Sequence, residues 1–235
     1  MNKKVIWIED DNVFVVSRNR TSNNKIIDKG FAVQTYTFSR EQYELANSKS
    51  KFGMKDFFSL DKSNCLDCKF SLNSGEGGCY THKYFQYSGF LRMLRSIDRS
   101  KLTPLDNSKY VEILDMSRDT YVRFGTYGEP SLLPEYMIYS MSKVSSAWTG
   151  YTHQWKKEWA KGLGRYFMAS THNQEETDEA KKLDYRSFIA TLSGEETAVG
   201  CPASKEMGYV SNCAKCGLCS GTEGKGSKDV KILMH

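Results

Sequence analysis

The chain has 235 residues, of which 39% are hydrophobic and 13% aromatic, and its 33 basic and 28 acidic side chains give a net charge of +5. This composition excludes a largely disordered chain, and the mild basic excess is compatible with nucleic acid or an anionic cofactor without requiring either. The sequence has no apolar run of the length that a signal peptide or a membrane span needs, which predicts a cytoplasmic protein without a membrane partner.

The first fifty residues are predicted to be rich in β-structure. The stretch KKVIWIEDDNVFVVSRN reads as two strands joined by a turn at Asp10-Asp11-Asn12, and KGFAVQTYTFS reads as a third strand. Ser39 is a good N-cap for a short helix in SREQYELANS. We interpret residues 1–50 as an N-terminal appendage of β character.

Strands and helices alternate beyond residue 50. Predicted strands are DFFSL, YVRFGTYG, AWTGYTHQW, RYFMAST and YRSFIATL. Predicted helices are KYFQYSGFLRMLRSIDRS, NSKYVEILDMSRDT, LLPEYMIYSMSKVSS, EWAKGLG and NQEETDEAKKLD. The alternation predicts an α/β core over residues 51–200, with a mostly parallel sheet or a partial (β/α) barrel and flanking helices. Residues 201–235 are expected to form a cysteine-rich loop and a loose tail with a short terminal strand.

The seven cysteines fall into two groups. The first is Cys65, Cys68 and Cys79, spaced C-x2-C-x10-C, with His82 just after it. The second is Cys201, Cys213, Cys216 and Cys219, spaced C-x11-C-x2-C-x2-C. In a reducing cytoplasm, clustered cysteines are more often metal ligands than disulfides. Both groups are therefore predicted to bind metal.

The spacing suggests which metal each group binds. A continuous C-x2-C-x2-C run lets one loop deliver three thiolates to an iron–sulfur cluster, and Cys201 can supply the fourth ligand; zinc is the alternative. The first group is either a structural zinc site with His82 as its fourth ligand or a four-iron cluster with three protein ligands. In the second case one iron stays open to bind a substrate or a cofactor.

Polar side chains follow several of the predicted strands. Glu129 follows YVRFGTY, His153 and Gln154 follow AWTGYT, and His172 and Asn173 follow RYFMAST. Ligands of α/β folds bind at the carboxyl ends of the parallel strands, where such residues meet. We expect these side chains and the first cysteine group to lie at the same edge of the sheet.

A three-cysteine group followed by a strand ending in Gly128-Glu129-Pro130 resembles the radical S-adenosylmethionine (SAM) superfamily. The resemblance implies that Cys65, Cys68 and Cys79 hold a [4Fe–4S] cluster whose open iron chelates SAM, although that superfamily usually spaces its cysteines C-x3-C-x2-C. It further implies that Gly128 and Glu129, with Gly125 nearby, contact SAM. The C-terminal cysteines resemble an auxiliary cluster.

The resemblance also implies a reaction and a partner. A reduced cluster would donate one electron to SAM, so an electron donor of the flavodoxin or ferredoxin type is expected. More narrowly, residues 55–220 resemble a family of uncharacterised phage and plasmid proteins through Cys79-Tyr80, GYTHQW and NCAKCGLC. That likeness would place the protein in the cytoplasm of a phage host.

A second hypothesis belongs to another class. The protein could be a metal-stabilised phage protein, with zinc or iron–sulfur sites, that binds nucleic acid or a host protein without catalysis. Aromatic side chains could stack on bases while nearby basic ones neutralise phosphates. The aromatic candidates are Tyr80, Tyr84, Tyr87, Trp148, Tyr151, Trp155 and Trp159, and the basic ones are Lys83, Arg92, Lys143, Lys156 and Lys157.

Overall fold

A computed structural model describes residues 2–21, 25–28, 30–73, 78–191 and 198–233. Within these ranges the strands are β1 (Lys3–Glu9), β2 (Asn12–Thr21), β3 (Gly30–Ser39), β4 (Tyr121–Tyr127), β5 (Ala147–Thr149), β6 (Tyr151–Thr152), β7 (Met168–Thr171), β8 (Ser187–Thr191), β9 (Val199–Gly200) and β10 (Val230–Leu233). The α-helices are α1 (Arg40–Asn47), α2 (Met54–Phe58), α3 (Lys62–Cys65), α4 (Tyr84–Arg95), α5 (Asn107–Ser117), α6 (Glu135–Val144), α7 (Gln174–Lys182) and α8 (Cys213–Cys216).

The first sheet has the order β1-β2-β3-β4-β5. Its first three strands are antiparallel neighbours, whereas β3 pairs in parallel with β4 and β4 with β5. The N-terminal fifty residues therefore extend the sheet of the core rather than standing apart from it. The α/β class predicted from the sequence is confirmed, with one mixed and one parallel sheet.

The second sheet has the order β6-β7-β8-β10-β9 and is parallel throughout. It adjoins the first sheet at Gly150, which separates β5 from β6 and accepts a backbone hydrogen bond of 3.0 Å from Met168. A Cβ atom at Gly150 would lie 2.7 Å from the Phe167 ring, so a side chain there would disturb the join. The predicted strand AWTGYTHQW is thus broken in its middle.

One other local expectation was wrong. Asp56–Leu60, expected to be a strand, instead contributes its first three residues to α2, where Phe57 and Phe58 both turn toward the same aromatic core. The short terminal strand expected in the tail is present as β10, which lies between β8 and β9 and buries Val230 completely. Around the last cysteines the chain is not all loop, since α8 forms one helical turn.

The parallel strands bury both of their faces. Val33, Val122, Phe124 and Phe167 pack against the helices α5 and α6. The opposite face, which we call the inner face, carries Ala32, Tyr121, Tyr151 and Met168, and these residues pack against the C-terminal cysteine segment. No helix in the described part of the chain has both the length and the apolar character needed to cross a membrane.

Candidate metal centres and the strand-end site

The first cysteine group lies in a loop anchored to the carboxyl ends of β3 and β4. We call residues 61–82 the cysteine loop; its residues 74–77 lie outside the described part of the chain. Asn64 donates from Nδ2 to the carbonyl of Thr37 over 2.9 Å. The carbonyl of Asn64 accepts the backbone N–H of Glu129 over 2.7 Å. One residue beside Cys65 thus ties the loop to both strands.

The structure brings the first three thiols together. The Cys68 N–H donates to the Cys65 carbonyl over 3.1 Å, and Leu66 between them has a positive φ of 53°, so the turn is tight and strained. Cys79 returns to the same place, with its Sγ 3.0 Å from the Thr81 hydroxyl. Each of the three interacts electrostatically with its neighbours, and all are free thiols.

The surroundings of these thiols favour the neutral form. Burial raises the pKa of Cys65 well above its usual value, raises that of Cys68 to about 12 and raises that of Cys79. The carboxylates of Asp61 and Glu129 add to the effect at Cys65. A bound cation would reverse this balance, because it takes the place of the protons and offsets the nearby negative charge.

Glu129 is buried and fully engaged by protein groups. Its carboxylate accepts from the N–H of Ser131 (3.1 Å), from the Ser131 hydroxyl (2.7 Å) and from the N–H of His153 (3.0 Å). Burial nevertheless raises its pKa. The side chain therefore joins the end of β4 to the end of β6 beside the cysteine loop.

The two glycines predicted to contact SAM lie where the chain passes close to itself. Gly128 has a φ of 73°, and a Cβ there would lie 2.3 Å from the Thr37 carbonyl oxygen. Gly125 also has positive φ, its N–H donates to the Thr35 hydroxyl over 2.8 Å, and a Cβ would meet Pro130. Both glycines thus have a structural reason to lack a side chain.

His153 and His172 meet at the predicted edge of the sheet. Their rings are stacked with centroids 6.2 Å apart, and Phe70 of the cysteine loop lies edge-on to both, at 6.0 and 5.0 Å. Burial, helped by the charge of Lys69, lowers the pKa of each histidine to about 4. Both are therefore neutral at pH 7.

Two other predicted site residues have local structural roles. Asn173 caps α7 by accepting from the Glu176 N–H over 2.8 Å. His82, the alternative zinc ligand, packs its ring against Phe58 with 4.2 Å between the ring centres. Burial lowers the pKa of His82.

Several buried polar atoms around the cysteine loop lack a well-formed hydrogen bond. They are Asp61 Oδ2, Asn64 Oδ1, both amide atoms of Gln154, and His172 Nδ1. Asp61, Asn64 and Gln154 are completely shielded from solvent. Buried polar groups are normally satisfied, so their concentration here fits a polar group bound at the strand ends.

The second cysteine group lies against the inner face of the sheet. Cys213 begins α8 and its N–H donates to the Lys25 carbonyl over 2.8 Å, while the Cys219 carbonyl accepts from Gly150 over 3.0 Å. Cys201 donates its N–H to the carbonyl of Lys231, just inside β10. Cys219 interacts electrostatically with Cys201, Cys213 and Cys216, so the four cysteines lie in the same region of the structure.

Phenol groups of the sheet reach this second group. The side chain of Tyr121 lies near Cys213 and that of Tyr151 near Cys219, and the Tyr121 hydroxyl is hydrogen-bonded to the Thr149 hydroxyl. Burial raises the pKa of the Cys213 and Cys219 thiols.

In the described residues, no three His, Cys, Asp or Glu side chains are arranged to hold a single metal ion. The type of donor fits a metal–thiolate group, since each cysteine group consists of half-buried or buried thiols within electrostatic range of one another, and polar atoms near the first group are unsatisfied.

Sequence reasoning missed the residues that surround both groups. Arg123 is the main example; its side chain meets that of Tyr80, which sequence reasoning considered only for base stacking and in the resemblance at Cys79-Tyr80. The alternation of side chains along β4 could have indicated this position: Val122 and Phe124 face the helices, so Arg123 must face the other way.

No protein-family model, curated protein sequence or solved structure matches the chain.

Proposed function

We propose that the protein is an iron–sulfur protein and a radical-SAM-like enzyme. Its first cluster would be held by Cys65, Cys68 and Cys79, and its second metal centre by the four C-terminal cysteines. The observation that carries the proposal is that three neighbouring thiols and several unsatisfied polar atoms lie together at the carboxyl ends of β3, β4, β6 and β7.

The order of the strands supports the proposal. In the first sheet β3, β4 and β5 are neighbours in chain order, and in the second sheet β6, β7 and β8 are neighbours in chain order. Helices or helical turns connect the successive strands within each of these two series. This is the winding of a partial (β/α) barrel, and we propose that architecture. In such folds the reactive site lies at the carboxyl ends of the strands.

The chain's own residues have definable roles in this proposal. The cysteine loop would hold the metal, and Asn64 would fix the loop to the ends of β3 and β4. Glu129 positions the end of β6, and the neutral rings of His153 and His172 line the same edge with Phe70. When bound, a reduced cluster with SAM would supply the one-electron chemistry that cleaves a carbon–sulfur bond.

Anaerobic purification tests this proposal. We expect about eight iron atoms per chain if both groups hold four-iron clusters, and formation of 5′-deoxyadenosine when dithionite and SAM are added. A flavodoxin or ferredoxin would replace dithionite as the physiological donor. Zinc in place of iron, with no 5′-deoxyadenosine, would refute the enzyme proposal.

The second candidate, a metal-stabilised protein that binds nucleic acid, is favoured by one surface. Tyr80, Tyr84 and Phe85 are 52, 77 and 70% exposed, and Lys83 lies among them. Tyr87 and Trp155, also considered for base stacking, are buried in the core instead. Salt-sensitive binding of single-stranded nucleic acid by a zinc-loaded protein, lost in Tyr84→Ala, would support this candidate.

A further inference from the structure

Arg123 places a cation on the inner face of the sheet. It lies in β4 one residue from Val122 and Phe124, which face the helices, so its side chain projects toward the cysteine groups. Its Nη2 donates to the Tyr80 hydroxyl over 2.8 Å, and its guanidinium carbon lies 5.9 Å from the centre of that ring.

No carboxylate of the described residues neutralises Arg123. The ion pairs between basic and acidic side chains there involve other residues. Arg186, the other enclosed arginine, differs because it donates to the backbone carbonyls of Leu218, Gly221 and Lys228. Arg123 is only partly shielded from solvent, and a guanidinium without an anionic partner in the described chain is available to an anion from outside it.

Most N–H groups of the Arg123 guanidinium also lack a hydrogen-bond partner in the described chain. An arginine has five N–H groups, and Arg123 spends one of them on Tyr80. Its Nε and Nη1 have no hydrogen bond in the described chain, yet they are not among the polar atoms sealed from solvent. They therefore face open space.

The position of this open space is informative. Tyr80 directly follows Cys79 of the first group. On the other side, Cys213 of the second group is close enough to Arg123 for electrostatic interaction, and Tyr121 and Tyr151 flank it. The arginine thus lies between the two cysteine groups, on a surface lined by phenols.

We propose that Arg123 binds an anionic group, a carboxylate or a phosphate, of a molecule held on the inner face between the two cysteine groups. The planar fork of a guanidinium matches both anions through paired charge-assisted hydrogen bonds. The identification of that molecule as the enzyme's substrate rests on the proposed function. The anion site itself does not require iron.

Nuclear magnetic resonance of the arginine side chains tests the proposal on the full-length protein. The Nε–H signal of Arg123 is assigned by its loss in Arg123→Lys and followed while inorganic phosphate or, separately, acetate is added. We expect a saturable shift with at least one of the two anions, and their relative affinities distinguish a phosphate from a carboxylate site. Arg123→Gln should weaken the binding, measured by calorimetry, about tenfold or more.

Matched controls make the result specific. Arg92→Gln removes an exposed arginine of α4 and should leave the anion affinity unchanged. The Arg186 signal should not respond, since backbone carbonyls occupy its guanidinium. Iron content, measured on the same samples, reports on the proposed function separately: anion binding by an iron-free protein would retain this inference while the enzyme proposal fails.

Two results would overturn the inference. One is that neither anion shifts the Arg123 signal more than the Arg92 signal. The other is loss of metal from the C-terminal cysteines in Arg123→Gln without any response to anions, which would make the arginine a counter-ion of that site. Circular dichroism confirms that each variant is folded, and Arg123→Lys provides a second variant that keeps the charge.

Discussion

Cys65 ends α3, and its thiol is surrounded by two other thiols and by the carboxylates of Asp61 and Glu129. A serine there would nearly preserve the volume and remove the proposed metal ligand. We predict that Cys65→Ser loses about four of about eight irons and all formation of 5′-deoxyadenosine, because only the first group has an open position. Iron analysis and product chromatography measure the two effects.

The matched control for that variant is Cys213→Ser in the second group. It should lose iron from the C-terminal site and leave the first cluster in place. Equal loss of iron from both sites in either variant would mean that the two groups form one centre, contrary to this account.

Gly128 is the position where the end of β4 passes closest to β3. Its φ is 73°, and a Cβ would lie 2.3 Å from the Thr37 carbonyl oxygen. We predict that Gly128→Ala lowers the free energy of unfolding by about 2–4 kcal/mol, through backbone strain and the steric clash. Urea denaturation measures the change.

Gly162 offers a control with similar backbone strain but without the clash. Its φ is 84°, and a Cβ atom at this position would have no neighbour within 4 Å. Gly162→Ala should cost only about 1–2 kcal/mol. If the two substitutions lower the free energy of unfolding equally, the clash with Thr37 does not contribute to the cost at Gly128.

The histidines at the strand ends predict a dependence on pH. Burial lowers the pKa of His153 and His172 to about 4, below the value of about 6.5 expected in an unfolded chain. The unfolded state therefore takes up protons first as the pH falls, so stability is full above about pH 6.5 and is lost toward pH 4. The loss should amount to roughly 1–3 kcal/mol after allowance for partial solvent screening.

The double variant His153→Gln, His172→Gln isolates this contribution. Its unfolding free energy should change less between pH 7 and pH 4.5 than that of the parent protein. An unchanged acid dependence would assign the loss of stability to other groups.

Helix α1 connects the first parallel strand to the cysteine loop. Ser39 caps it in a reciprocal capping box with Gln42, and the Ser39 hydroxyl also donates to the Leu60 carbonyl over 2.5 Å. We predict that Ser39→Ala costs about 1–2 kcal/mol, since one substitution removes both bonds. It should also weaken iron retention at the first group, because Leu60 leads directly into the cysteine loop.

Ser48, at the other end of α1, is the matched control. Its hydroxyl is exposed and donates to the Leu45 carbonyl over 2.9 Å. Ser48→Ala should change stability by less than about 0.5 kcal/mol and leave the iron content unchanged. Equal effects at the two ends would contradict the role assigned to the cap.

The elements that were predictable carried strong local signals. Ser39 with Gln42 marks the start of α1, and regular apolar spacing identified α4 and α5. The signal was ambiguous for Met54–Phe58, because a short apolar run fits a strand or a buried helical turn equally well. The break at Gly150 could not be predicted from the neighbouring residues, since it depends on the close approach of the Phe167 ring.

Across the whole molecule, the sequence indicated the edge of the sheet that would carry the site. The residues after β4, β6 and β7 do meet there, as the hydrogen bond of Glu129 to His153 and the stacking of His153 on His172 show. What could not be predicted depends on contacts between distant segments. Phe70 covering the two histidines and Arg123 reaching Tyr80 are of this kind, and so is β10 pairing between β8 and β9.

The central claim is that the first three thiols hold iron with one position open to SAM. Electron paramagnetic resonance of the dithionite-reduced, anaerobically purified Cys213→Ser variant, recorded with and without SAM, tests it most directly because we expect that variant to retain the first cluster alone. The account predicts the signal of a reduced four-iron cluster that changes when SAM is added. A protein without an iron signal, or a cluster signal that SAM leaves unchanged, would contradict it.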